Sequence, residues 1–156
     1  MKDPSLKAPA ILAPPPLIFA GVFLAGCLLH LRFPFHLFAP RVAERAGSML
    51  LMLSGLLAAS AAWTMWRAGA AIGFHRADSR LVVRGPFRLT RNPLYLSLAL
   101  LYAGLSIRLD MPWTLLLLPA ALTVMHLGVI RREERYLQMR FGEEYEEYQR
   151  RVRRWI

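Results

Sequence analysis

The sequence predicts an all-α integral membrane protein with about four transmembrane helices and a C-terminal amphipathic helix at the cytoplasmic surface. Apolar residues make up 56% of the 156 residues and gather into four blocks, whereas a soluble core would spread them periodically. The 20 Lys and Arg outnumber the 10 Asp and Glu, and most of this positive charge stands beside the blocks. We expect a single domain over 1–156, with N-terminal spans in 1–66 and a catalytic core in 67–156.

The four apolar blocks differ in length. They cover residues 17–31, 49–65, 94–107 and 111–130. Because a bilayer core takes about 20 helical residues, the fourth block fits directly and the first two reach that length with their flanks. The third block is short, so it is either a buried helix or a span whose ends are paired with protein.

The N-terminus has some features of a targeting signal, since Lys2 and Lys7 precede an apolar stretch. Three consecutive prolines at positions 14–16 stand where a helical signal would begin, and no small-residue cleavage site follows. We therefore expect a retained span. Its Cys27 is the only cysteine in the chain, so neither an internal disulfide nor a metal cluster is expected.

Arginine is distributed unevenly between the two sides of the predicted spans. Residues 67–91 hold six arginines and one aspartate, and the tail from residue 131 holds eight arginines and six glutamates. By the positive-inside rule both segments face the cytoplasm, so blocks three and four form a hairpin and both termini are cytoplasmic. The compact, arginine-rich layout is typical of a bacterial inner-membrane protein.

This positive charge also raises the alternative of nucleic-acid binding. The arginines are spread over two membrane-proximal segments, without an aromatic-interleaved basic platform. Attraction to anionic lipid head groups explains them more simply. We therefore expect membrane lipids as partners, with no nucleic acid and no evident protein partner.

The segment before block three combines a helix start with basic residues. Asn92 is an N-cap type, and Pro93 suits the first helical position, so block three is predicted to begin at Pro93. Uncovered N–H groups of the first turn, together with Arg88 and Arg91, would form a seat for a carboxylate or phosphate. Tyr95 lies in the same turn. The alternative is a capped helix start with snorkelling arginines and an interfacial tyrosine.

The C-terminal segment carries an apolar stripe with charged residues opposite. This pattern predicts one amphipathic helix, or two helices broken near Gly142. The stripe consists of Leu137, Phe141, Tyr145, Tyr148, Val152 and Trp155.

Continued toward the N-terminus, the stripe passes through Glu133 and His126, while Glu134 lies about 100° away. A carboxylate that faces inward at the end of a span requires a partner. Glu133 is therefore a candidate site residue, and its alternative is a structural salt bridge with Arg88 or Arg91.

These segments together resemble the isoprenylcysteine carboxyl methyltransferase family and its relatives that methylate phosphatidylethanolamine. The resemblance covers residues 66–155 and rests on Gly-Pro-Phe-Arg at 85–88, Arg-Asn-Pro-Leu-Tyr at 91–95, the Glu pair at 133–134, and Phe-Gly-Glu-Glu-Tyr at 141–145 followed by Tyr148. Two departures are evident: Asn92 replaces a histidine typical of eukaryotic members, and His75-Arg76 lacks its flanking prolines.

The resemblance implies a small membrane enzyme that uses S-adenosylmethionine. Arg88 or Arg91, with the Pro93 helix start, would hold the cofactor carboxylate, and Glu133 would accept hydrogen bonds from its ribose or amino group. The tyrosines would contact the adenosine. The implied cofactor-binding residues are Arg88, Asn92, Pro93, Leu94, Tyr95, Glu133, Tyr145 and Tyr148.

Methyl transfer needs alignment of cofactor and acceptor but no protein nucleophile. A carboxylate acceptor would require an arginine such as Arg91 for orientation, and an amine would require a base, either Glu134 or His126. These three residues are the catalytic candidates. We expect a lipidic or hydrophobic small-molecule acceptor, methylated on a carboxyl, amine or hydroxyl group.

Other functions remain open at this stage. Membrane reductases that use NADPH are similar in their C-terminal half, and a non-catalytic membrane scaffold would bind neither cofactor. A transporter would need more polar residues in its spans. The methyltransferase hypothesis predicts that Arg88, Arg91, Tyr95 and Glu133 meet at one cavity covered by the C-terminal helix.

Overall fold

The computed structural model describes residues 12–69 and 81–155, and every regular element in these ranges is helical. The predicted all-α fold is confirmed. Lys2, Lys7 and His75-Arg76 lie outside these residues. The elements are α1 (Pro15–Arg32), α2 (Pro40–Arg67), a 3₁₀ turn (Gly85–Arg88), α3 (Pro93–Arg108), α4 (Pro112–Met125), a π-helical segment (His126–Ile130), α5 (Arg131–Phe141) and α6 (Glu143–Arg151).

Three helices of the described chain are long and apolar enough to cross a membrane. They are α1, α2 and the continuous helix Pro112–Phe141 that joins α4, the π segment and α5. The helix α3 is shorter, with 16 residues, as expected from the short third block. Each of α1, α2, α3 and α4 has a proline in its first two positions, where no intrahelical N–H bond is lost.

The helices pack as two antiparallel pairs, α1 with α4 and α2 with α3. At Gly26 on α1, a Cβ atom would lie only 2.6 Å from the Cα atom of Thr114 on α4. The absence of a side chain therefore lets these two backbones touch. Aromatic contacts extend the core, since the Tyr102 ring lies 6.1 Å from Phe19 and 5.1 Å from Phe23.

Asp110 joins two loops at one end of the bundle. Its carboxylate accepts the N–H groups of Leu37 and Phe38 at 3.0 and 3.1 Å, and His36 Nδ1 lies 3.0 Å away. The Leu37 N–H, the Phe38 N–H and His36 hold the pKa of this carboxyl below its usual range, against some desolvation. The α1–α2 loop and the α3–α4 turn therefore share one end, as the predicted hairpin requires.

The opposite end carries the start of α1, the segment 81–92 and the C-terminal tail. The Leu12 N–H donates to the Gly128 carbonyl of the π segment at 3.3 Å, which brings the start of α1 beside the end of α4. The start of α1, the segment 81–92 and the tail therefore share one end of the bundle. We call this the site end of the bundle.

The C-terminal region forms two helices broken at Gly142, the second of the two predicted alternatives, but the tail after α6 departs from the prediction. Its first half, α5, continues the fourth span without a break, and the chain turns at Gly142, whose φ of 51° is unfavourable for residues with a side chain. The helix α6 ends at Arg151, so Val152 and Trp155 do not extend the helical stripe as predicted. Both still pack inward, because the tail folds back onto the bundle.

Candidate functional site

Tyr95 and Glu133 meet at the site end. Pro93 starts α3, which places Tyr95 in its first turn, while Glu133 lies in the first turn of α5. The Tyr95 hydroxyl donates to Glu133 Oε1 at 2.8 Å, and the tyrosine side chain is buried. The partner of the inward carboxylate is therefore a phenol. Neither Arg88 nor Arg91, the alternatives considered from sequence, occupies that position.

Two arginines, Arg91 and Arg154, form ion pairs with Glu134 instead. Its Oε1 lies 3.0 Å from Arg91 Nη1, and Arg154 donates to both carboxylate oxygens at 2.9 and 2.6 Å. Glu134 favours the charged form of Arg154 and raises the pKa of that guanidinium. One carboxylate thus joins α5, the segment before α3 and the C-terminal tail.

Arg91 is largely buried, with 11% of its side chain exposed. Its Nη1 is close to Glu134 without the alignment of a hydrogen bond, and neither Nε nor Nη1 has a hydrogen-bond partner among the described residues. Buried guanidinium groups normally use such donors. Among the described residues, the Nε and Nη1 atoms of Arg91 are therefore donors without an aligned acceptor.

The C-terminal tail lies across the start of α3. The Arg153 carbonyl accepts a hydrogen bond from the Arg91 backbone N–H at 3.0 Å. The Arg154 carbonyl accepts hydrogen bonds from Thr90 Oγ1 and Asn92 Nδ2, each at 3.0 Å. Asn92 occupies the N-cap position as predicted, but its side chain makes no capping bond and binds the tail instead. Pro93 is fully buried beneath this contact, and Leu94 is half-buried.

Tyr145 and Tyr148 of α6 face the same region. Their ring centroids lie 6.1 Å apart, both side chains are buried, and the Tyr148 hydroxyl donates to the Phe87 carbonyl at 2.6 Å. Burial raises the pKa of both phenols, while the Arg91 cation acts in the opposite direction. Arg91 is therefore beside aromatic side chains as well as beside Glu134.

Two of the predicted residues stand apart from this cluster. Arg88 is exposed and forms no hydrogen bond or ion pair with the residues that the structure describes. His126 is half-buried at the start of the π segment and likewise has no such partner within the described ranges. The π segment also separates His126 from Glu133 and changes the α-helical spacing on which their common face was predicted.

An open cleft of about 620 Å³ lies between α5, α6 and the tail, and Glu134 is the one predicted site residue in its lining. Arg91, Tyr95 and Glu133 are packed beside it. Sequence reasoning also missed Arg154 and Thr90; the available signals were an arginine beside a tryptophan in the tail and a hydroxyl residue just before Arg91-Asn92-Pro93.

Comparisons with known proteins agree with this architecture. Residues 42–144 match the family model described as phospholipid methyltransferase. The chain is also 36% identical over 106 residues to the cobalt-zinc-cadmium resistance protein CzcN of Cupriavidus metallidurans. That alignment covers 67% of this chain and 48% of CzcN, so the chain spans about half the length of this curated relative.

The fold and site together define a small helical membrane protein with a charged and aromatic cluster at one end of its bundle. The chain belongs to the phospholipid methyltransferase family, a family of membrane methyltransferases. The resemblance to the isoprenylcysteine carboxyl methyltransferases and their phospholipid-methylating relatives is thereby confirmed.

Proposed function

We propose that this protein transfers a methyl group from S-adenosylmethionine to a lipidic or hydrophobic acceptor. The acceptor atom belongs to a carboxyl, amine or hydroxyl group. The membrane fold and the family support methyl transfer, and the buried Arg91 with its unused donors supports this cofactor. Those donors fit the carboxylate of S-adenosylmethionine, because a guanidinium binds carboxylates by paired, charge-assisted hydrogen bonds.

The other site residues would complete the cofactor site. The Tyr95–Glu133 pair offers a carboxylate that accepts from ribose hydroxyls or the amino group, and Tyr145 and Tyr148 supply aromatic surface for the adenosine. When bound, S-adenosylmethionine supplies an activated methyl group, so the chain has to provide alignment and exclusion of water. Asn92, Pro93 and Leu94 shape the start of α3 for this purpose.

Proton handling depends on the acceptor. Arg91 would orient a carboxylate acceptor, and Glu134 or His126 would take the proton of an amine. Glu134 already forms ion pairs with Arg91 and Arg154, whereas His126 has no hydrogen-bond or ion-pair partner among the residues described. His126 is therefore the freer base of the two. We assign the reaction to the cytoplasmic face of a bacterial inner membrane, because arginine is concentrated at the site end.

Calorimetric titration of the detergent-purified protein with S-adenosylmethionine tests the cofactor. Arg91→Gln should weaken binding by about tenfold or more through loss of charge-assisted bonds. Arg88→Gln removes the same charge three residues earlier from an exposed side chain, and it should leave the affinity within about twofold of the parent. Circular dichroism establishes that both variants are folded.

Three results would contradict the proposal. They are the absence of S-adenosylmethionine binding by the folded parent, equal losses in the two variants, and binding of NADPH instead. Incubation with methyl-labelled S-adenosylmethionine and a lipid extract then tests the acceptor, and label recovered only in water-soluble products would exclude a lipidic one.

A further inference from the structure

The cleft between α5, α6 and the tail is rich in unneutralised positive charge. Four arginines and two glutamates line it, together with two glutamines. Arg91, Tyr95 and Glu133 do not line the cleft, although Glu134, which does line it, lies 3.0 Å from Arg91. Its charged residues are Arg131, Arg135, Arg150, Arg154, Glu134 and Glu146.

Both glutamates of the cleft already have partners. Glu134 holds Arg91 and Arg154, and Glu146 accepts from Gln138 Nε2 at 2.5 Å and lies 3.9 Å from Arg150. Neither carboxylate of the cleft is therefore available to neutralise a further arginine.

Arg131 and Arg135 are the arginines left over. Neither forms a hydrogen bond or an ion pair with any residue of the described chain. They stand four residues apart on α5, so both side chains lie on one helix face, where like charges repel. A bound anion would relieve this repulsion.

The position of these arginines along the helix indicates which kind of anion is within their reach. Arg131 is 19 residues beyond Pro112 in one continuous helix, a rise of about 28 Å at 1.5 Å per residue. The hydrocarbon core is about 30 Å thick. When Pro112 stands at one edge of the core, Arg131 reaches the other edge and Arg135 lies in the adjoining headgroup layer, where lipid phosphates are found.

We propose that this cleft binds the phosphate group of an anionic membrane lipid, with Arg131 and Arg135 as direct ligands. Two guanidinium groups one helical turn apart provide paired donors for phosphate oxygens. The lipid tails would lie against the apolar helix Pro112–Phe141, which carries both arginines. This site does not depend on the proposed methyl transfer.

Thermal unfolding of the detergent-purified chain tests the site with three probes. They are dihexanoylphosphatidylglycerol, dihexanoylglycerol, which has the same tails without phosphate, and inorganic phosphate. Phosphatidylglycerol should raise the unfolding midpoint in a saturable manner, and the other two probes should have little effect. A comparable effect of dihexanoylglycerol, or of inorganic phosphate, would overturn a lipid phosphate as the occupant.

Two double variants with the same change of charge locate the site. In Arg131→Gln/Arg135→Gln the half-saturating concentration should rise by about tenfold or more. In Arg140→Gln/Arg153→Gln, which changes two arginines outside the cleft lining, it should stay within about twofold. Equal weakening in both would indicate general electrostatic attraction and overturn the proposal.

A conservative variant keeps the proposal testable where the double variant does not fold. Arg135→Lys retains the charge and removes the planar fork. It should weaken phosphatidylglycerol binding by a few-fold, and an unchanged affinity would contradict direct guanidinium contact.

Discussion

The phenolic oxygen of Tyr95 lies 2.8 Å from Oε1 of Glu133, so a hydrogen bond joins the first turn of α3 to the first turn of α5. Tyr95 is buried, with 8% of its surface exposed. This hydrogen bond therefore links the starts of the two helices and holds the Glu133 carboxylate in place at the site end.

Removal of the Tyr95 hydroxyl should destabilise the protein. Tyr95→Phe leaves the Glu133 carboxylate without its donor, which should cost about 1–3 kcal/mol in the free energy of unfolding. Glu133→Gln retains an acceptor oxygen and should cost less. Denaturant unfolding in detergent measures both values, and Tyr136→Phe, which removes a hydroxyl on the outer part of α5, serves as the control.

A larger loss of unfolding free energy in Glu133→Gln than in Tyr95→Phe would show that the hydrogen bond is not the main contribution of this pair to stability. S-adenosylmethionine titration of the same variants separates stability from function. A variant that folds like the parent and binds weakly would support a direct role of the pair in the site.

The side chain of Arg154 should matter much more than that of Arg153. Arg154→Ala removes two charge-assisted bonds to Glu134, and because Arg154 is 35% exposed the loss should be about 1–2 kcal/mol. Arg153→Ala keeps the backbone carbonyl that binds Arg91 and should change stability by less than about 0.5 kcal/mol. Unfolding midpoints of the two variants make the comparison, and similar values would contradict the assigned ion pair.

Asp110 should make stability depend on pH at the end opposite the site. Its folded pKa is lowered by the Leu37 and Phe38 N–H groups and by His36. The stabilising contribution is therefore complete above the unfolded pKa of about 3.9 and is lost as the pH falls through the lower folded pKa. The difference in thermal midpoint between the parent and Asp110→Asn should narrow over that acidic range. A constant difference from pH 7 down to pH 2 would contradict this prediction.

Two glycines of α1 offer a matched test of helix contact. Gly26→Ala places a methyl group 2.6 Å from the Thr114 Cα atom, and the forced separation of α1 and α4 should cost about 1–3 kcal/mol. At Gly21 a Cβ meets nothing within 4 Å, so Gly21→Ala should be neutral or stabilising by up to about 1 kcal/mol. Equal effects on unfolding would show that α1 and α4 do not touch at Gly26.

Much of the fold was predictable because it depends on local sequence. The blocks at 17–31 and 94–107 became α1 and α3 within two residues at each end, and the helix start at Pro93 was correct. Proline determines such boundaries locally, since it lacks the N–H that an interior turn would need. The start of α2 at Pro40 was not predicted, because polar residues precede its apolar block.

The site was predictable as a set of residues more than as a set of contacts. Arg91, Tyr95, Glu133 and Glu134 do gather at one end of the bundle. Their pairing differs from the expected salt bridge of Glu133, and the roles of all the candidates, including Arg88 and His126, stay predictions. Arg154 was missed because its partner lies 20 residues earlier in the chain.

The sequence by itself determined the all-α membrane fold, the family and the end of the bundle that carries the charged residues. Periodicity, proline positions and arginine distribution act over a few neighbouring residues, so they can be interpreted without coordinates. Only the tertiary structure decided that Glu133 accepts a hydrogen bond from Tyr95 and that Glu134 forms ion pairs with two arginines. It also decided that the tail covers the start of α3. These contacts join residues 20 to 62 positions apart, and such partners are chosen by helix packing and by the π segment that resets the register of the fourth span.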